Sequence, residues 1–208
     1  DGTQGFDSCL IINNDSRSGS IDLRLVDSSM PDVPTSKANQ CVDNVLKIFN
    51  ENKDHCQAIF SDVGIHDSNK SGFSLFDDIK RKLIAGGIPA DQIVDFSDSK
   101  LEGDKREEAQ AKMRRGEVRV ALGSTERLGT GTNIQKKLKA LHHLDIPYVP
   151  AYLEQRDGRA YRQRNMHKNI DVYKYIQEGS ADHISWQTLA KKSHFVNQFM
   201  KGDRSMRT

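Results

Sequence analysis

The sequence predicts an α/β domain with a mostly parallel central sheet flanked by helices, and three observations carry that expectation. Short apolar runs of strand length alternate with stretches whose apolar residues recur at helical spacing. Clusters of Gly, Pro, Asn, Asp and Ser separate them. The chain of 208 residues, 36% hydrophobic and 29% charged, is long enough at roughly 150 residues per domain to bury one large core without metal or disulfide staples.

The elements follow in order. Residues 1–35 read as an irregular N-terminal arm or linker with a short strand at 10–12, because 13–20 and 27–34 are rich in turn formers. Asp1 in place of an initiating Met suggests an excised fragment. From Ser36, a helix cap, the residues Ala38, Cys41, Val42, Val45, Leu46 and Phe49 keep helical spacing. Residues 57–61 read as a buried strand, 62–72 as a polar loop, and 73–85 as a helix ended by Gly86 and Gly87. A short strand is expected at 93–96. Asp104 and Glu107 have capping-box spacing, and the helix they open runs to Arg115 before Gly116 stops it. Further strands are expected at 118–122, 140–144 and 170–176, with helices at 152–164 and 180–200. The expected division is an arm over 1–35, the α/β domain over 36–178, and a closing helix and tail over 179–208.

Composition narrows the function classes. No apolar run reaches the ~18 residues of a membrane span, and no secretory leader is visible. Cys9, Cys41 and Cys56 are odd in number and widely spaced, which reads as buried thiols in a reducing cytoplasm rather than a disulfide or zinc framework. Charge is uneven. Residues 1–104 carry 10 Lys/Arg against 18 Asp/Glu, and residues 105–208 carry 21 against 11. A basic second half suits a polyanion, and equally a solvated helical surface.

In a parallel sheet, ligands sit on the loops at the carboxyl ends of strands. No phosphate loop of the form G-x-x-x-x-G-K-[ST] is present, and no apolar strand ends in an Asp-Glu pair. His142 and His143 are adjacent, so on a strand they face opposite ways and make no metal pair. The segment Gln155-Arg156-Asp157-Gly158-Arg159-Ala160-Tyr161-Arg162-Gln163 places Arg159 and Arg162 three apart, on one face if helical. Two guanidiniums so placed either face an anion such as a phosphoryl group or lie in solvent, paired with Asp157 or Glu154.

Gln155-x-x-Gly158-Arg159-x-x-Arg162-Gln163 resembles the sixth motif of superfamily II helicases. Ser124-Thr125 through Gly129, Gly131, Asn133 and Ile134 resembles the fifth motif of the Swi/Snf-type translocases. Asp145 to Gln155, with Tyr148 and Pro150, resembles that group's linker between the two. Ala58-Ile59-Phe60-Ser61 resembles its fourth motif, Ser36-Lys37 its segment ahead of the first helix, and Asp171 to Ser180 its ending. The series runs in order from about residue 36 to 190. It is also similar to the helicase half of phage and plasmid methylase-helicase polypeptides.

The resemblance implies a RecA-like three-layer domain: the second of two motor lobes of an ATP-dependent DNA helicase or translocase. ATP with Mg²⁺ would be held mainly by an absent first lobe, the N-terminal RecA-like lobe of the same polypeptide. Arg162 and Arg159 would be arginine fingers, positioned by Gln155. Gly129, Gly131 and Asn133 would lie at the nucleotide, and Ser61, Ser124 and Thr125 at the phosphate backbone of DNA, duplex by expectation. The fragment alone would not turn over ATP. The alternative is a non-catalytic RecA-like module that binds nucleic acid or protein. Arg114, Arg115, Lys136, Lys137 and Lys139 read either as a basic track or as solvated charge. Trp186, Ile184 and Leu189 read as packing residues of the closing helix.

Overall fold

The computed structural model describes the backbone of residues 3–65 and 72–200. Part of the expected polar loop (66–71), the tail from residue 201 and the Cys9 side chain lie outside the described residues.

The chain runs α1 (Thr3–Ile21), α2 (Lys37–Glu51), β1 (Cys56–Phe60), α3 (Leu75–Ala85), β2 (Ile93–Asp95), α4 (Gly103–Arg115), β3 (Val120–Gly123), β4 (Leu138–His143), α5 (Pro150–Asp157), β5 (Asp171–Lys174) and α6 (Asp182–Met200). The strands form one sheet in the order β2-β3-β1-β4-β5, and every neighbouring pair is parallel. β1 is central and buried at all five positions, as a strand covered on both faces must be. Its register sets Ile59 beside Leu122 on one side and His142 on the other.

Alternation along the strands splits the core into two layers. Ile59, Val120 and Leu122 pack against Cys41, Val45, Ile79 and Leu83 of α2 and α3. Ala58, Phe60, Ala121 and Leu141 face the other way, toward Ala109 and Met113 of α4 and toward Leu128, Ile134 and Ala160. This is the α/β arrangement with a parallel sheet that the alternating pattern predicts, in the three-layer RecA-like form that the resemblance implies.

Several local expectations hold by the chemistry that motivated them. Ser36 caps α2, its Oγ accepting from the Asn39 N–H at 3.2 Å. Gly116 ends α4 in the left-handed region at φ 85°, where a side chain is penalised.

Others are corrected. The arm expected to be irregular, with a strand at 10–12, is helical over Thr3–Ile21. Its own periodicity is weak. Tertiary contacts hold it instead, with Ile21 and nearby Leu25 buried in the core. No capping box forms at Asp104: α4 starts at Gly103 after Glu102, which makes no side-chain cap. The helix expected over 152–164 is confined to Pro150–Asp157. Pro150 is suited to a first turn, and Gly158, a weak helix former, begins a series of turns. Ile184 is exposed rather than packed, whereas Leu189 is buried and Lys174 Nζ sits 4.8 Å above the Trp186 ring.

Candidate functional site

Parallel strands bring the loops after β1, β3 and β4 to one end of the sheet. A single guanidinium ties these three loops together. Arg156, in the last turn of α5, is fully buried. Its Nη2 donates to Asp62 Oδ2 at 2.7 Å and its Nε to Thr125 Oγ1 at 2.7 Å. Asp145 Oδ1 lies 2.9 Å from its Nη1. Thr125 donates its backbone N–H (2.6 Å) and its hydroxyl (2.7 Å) to Asp62. Burial opposes the charge on Arg156, but Asp145 and Asp62 outweigh it and hold the guanidinium more firmly protonated than a free arginine. Burial likewise opposes ionisation of Asp62, and Arg156 with the Thr125 donors keeps its carboxyl below the usual range.

Sequence reasoning missed Arg156, Asp62 and the role of Asp145. Arg156 stood beside the motif arginines, but its partners are 94 and 11 residues away, a juxtaposition only the sheet order creates.

Two of the residues expected at the DNA backbone, Ser61 and Thr125, belong to this network or lie beside it. Ser61 is completely buried, and its hydroxyl donates to its own loop at Val63 O, 2.7 Å. Thr125 is 4% exposed with both donors on Asp62. In this arrangement both hydroxyls are engaged within the loops. Ser124 stays at the surface of a cleft of about 700 Å³, lined also by Arg17, Thr130, Tyr148, Tyr152 and Gln155.

Arg159 and Arg162 are not on one helix face, since α5 ends before them, yet the turns still bring them together. Arg159 Nη1 donates to Thr132 O at 2.9 Å and Arg162 Nη1 to the same oxygen at 3.3 Å. Arg159 Nε also reaches Gln155 O at 3.3 Å. Arg159 is largely buried and Arg162 exposed. Among the described residues no carboxylate pairs with either: Asp157 holds His143 at 2.9 Å instead. Burial, and then the neighbouring Arg162, make Arg159 less readily charged than a free arginine.

The fifth-motif loop supplies the shared carbonyl. A Cβ on Gly129 would collide with Thr125 O, and Gly131 has φ 65°. Asn133 is exposed, with its backbone held by Gln110 and Arg114. Of the expected basic track, Arg115, Lys137 and Lys139 are taken up by ion pairs with Glu108 and Glu117, Asp54 and Asp171. His142 and His143 face opposite layers, on Gln57 and Tyr175 and on Asp157 respectively. Among the described residues no helix is long and apolar enough to cross a membrane.

The site thus sits on a RecA-like α/β domain in which two motif arginines meet at one loop carbonyl. Residues 45–164 match the helicase conserved C-terminal domain, and the chain belongs to that family. It is similar to the defense against restriction protein B of Escherichia phage P1, with 31% identity over 75 residues, which are 36% of this chain and 3% of that protein. Among solved structures it resembles the C-terminal part of the Fun30 ATPase domain (TM-score 0.58, 17% identity, 74% of this chain and 45% of that one). It also resembles the helicase MrfA, solved bound to DNA and AMPPNP (TM-score 0.58, 16% identity, 79% of this chain and 21% of that one). At those identities the likeness concerns the fold. The chain spans less than half the length of each.

Proposed function

We propose that this chain is the second motor lobe of an ATP-dependent DNA helicase or translocase of Swi/Snf-like type, part of a longer polypeptide. It supplies Arg159 and Arg162 to a triphosphate held mainly by a first lobe. The observation that carries this reading is the pair itself: two guanidiniums on one backbone oxygen, without a carboxylate partner among the described residues. Two like charges so placed are stabilised by an incoming polyanion, and the planar forks of arginine suit phosphoryl oxygens. Arg162, the exposed member, stabilises charge that builds on the γ-phosphoryl oxygens in the transition state. Arg159 holds the loop carbonyl and the phosphates in register, and Gln155 accepts from Arg159 through its backbone. Gly129 and Gly131 let the loop turn close to the nucleotide, with Asn133 exposed beside them. Mg²⁺ sits with the first lobe. Ser124 and the cleft around it border the DNA backbone, which such contacts position without reading bases.

The test is ATP turnover by the two-lobed polypeptide with duplex DNA. Arg162→Ala is expected to lower turnover by about 10³-fold or more, with Arg159→Ala similarly impaired and both variants folded by circular dichroism. Near-normal DNA-stimulated turnover in Arg162→Ala would remove the assignment.

A further inference from the structure

We propose that Arg17 of α1 is a positioning residue of the motor site, acting through Asp145 and Arg156 on the loop that carries Thr125 and Gly129. The inference rests on the functional reading above. It concerns a helix outside the 45–164 family match.

The argument begins with charge. Arg156, Asp62 and Asp145 form a cluster of one cation and two anions, with Arg156 fully buried and the Asp145 side chain 2% exposed. Taken alone, these three groups carry a net negative charge; the Asp62 side chain is 31% exposed, so the buried share of that charge falls on Asp145, and a buried charge is strongly unfavourable unless paired. Arg17 completes it. Its Nη2 lies 3.4 Å from Asp145 Oδ2 and donates to Ile146 O at 3.0 Å. With Arg17 the group holds two cations and two anions. The two guanidiniums divide the carboxylate between them: Oδ1 of Asp145 faces Arg156 Nη1 at 2.9 Å and Oδ2 accepts from Arg17 Nη2 at 3.4 Å.

The same guanidinium clamps the linker between the fifth and sixth motifs. It lies 4.1 Å from the centre of the Tyr148 ring, a cation–π contact. Asn13, one helical turn earlier, donates to Tyr148 Oη at 3.0 Å. Arg17 also borders the cleft that Ser124 and Gln155 line. A continuous path of contacts therefore runs from α1 to Asp145, Arg156, Asp62 and Thr125. Behind it, α1 is anchored by Ser20 and Lys37: Lys37 Nζ donates to Ser20 Oγ at 3.1 Å and pairs with Asp182 of α6.

A charge-balancing role makes a prediction that simple packing does not. Removing Arg17 leaves an excess negative charge, and neutralising Asp145 removes that excess. In the two-lobed polypeptide, Arg17→Met is expected to lower the DNA-stimulated kcat by roughly three- to thirty-fold. The KM for ATP should change little, since Arg17 does not touch the proposed nucleotide site. Arg17→Lys keeps the charge and should retain most of the rate. Combining Arg17→Met with Asp145→Asn should recover kcat above that of Arg17→Met alone. Additive losses in the double variant, or an Arg17→Met enzyme equal to the wild type, would overturn the proposal. So would an Arg17→Lys variant as slow as Arg17→Met. Circular dichroism on each variant separates a slow motor from an unfolded one, and Arg17→Lys carries the test if Arg17→Met does not fold. A wild-type polypeptide without DNA-stimulated turnover would instead refute the functional reading.

Discussion

A buried arginine is an expensive way to join three loops, and Arg156 shows why its removal is worse than its presence. Replacing it leaves Asp62 and Asp145 facing each other without their shared cation, and leaves Thr125 Oγ1 without its donor. Breaking a buried ion pair from one side costs about 3–5 kcal/mol. Arg156→Ala should therefore lower the unfolding free energy by about that amount in urea titrations. A loss within the error of the titration would mean that the loops hold their places without it. The two arginines three and six residues further on have no such partners. Removing Arg162, which is exposed, should therefore cost much less stability than removing Arg156.

At the scale of elements, the loop between β3 and β4 decides whether the arginines have anything to grip. It makes one tight turn, Leu128 N–H to Ser124 O at 2.8 Å, and Thr132 Oγ1 then donates to Leu128 O at 2.5 Å. Its two glycines are needed for different reasons. Gly129 has no room for a methyl group against the Thr125 carbonyl, and that carbonyl is backbone that cannot swing aside. Gly131 has open space but a positive φ. Gly129→Ala should cost about 1–3 kcal/mol as overpacking, and Gly131→Ala about 1–2 kcal/mol as left-handed strain. Thermal unfolding checks both, and a Gly129→Ala variant as stable as the wild type would show that close approach is not what excludes a side chain at residue 129. The strands were legible because β1, β3 and β4 are short apolar runs bounded by polar turns. Helix α1 was not, because nothing in its own apolar spacing marks it: Arg17 and Ile21 are held by partners that approach only after the sheet has formed. Helix α5 was read too long because Arg159 and Arg162 have helical spacing. Gly158 ends the helix, and the pair meets through a loop carbonyl instead. The inward turn of Ser61 and Thr125 was likewise hidden, since a motif match gives a residue's position and not the direction of its hydroxyl.

For the whole molecule, pH acts through the sheet. Burial, and then its neighbour His143, push the His142 pKa down to about 3. Burial lowers His143 as well, against the opposing pull of Asp157. A folded-state pKa below the unfolded value of about 6.5 means that only the unfolded chain takes up protons as pH falls from about 6.5. Stability is therefore lost across that fall, at about 1.4 kcal/mol per pH unit per imidazole. Urea unfolding at pH 5.5 should give a free energy about 1–3 kcal/mol below that at pH 7.5. His142→Gln should flatten the dependence by about one proton. An unchanged midpoint between the two pH values would mean that both rings are protonated in the native protein. The carboxyls of Asp62 and Asp78 are held low, so their contributions fade only at more acid pH and leave this window to the histidines.

The position of β1 at the centre of the sheet has a consequence for biosynthesis. Gln57 pairs with Val120 and Cys56 with Leu138, so the first strand to leave the ribosome is among the last to find both neighbours. At about 5–20 residues per second, the strand Cys56–Phe60, apolar at every position but Gln57, waits roughly 4–17 seconds for β4 to be made. Over that interval the nascent chain presents an unpaired sticky edge, and chaperones that bind short apolar strands would find their target there.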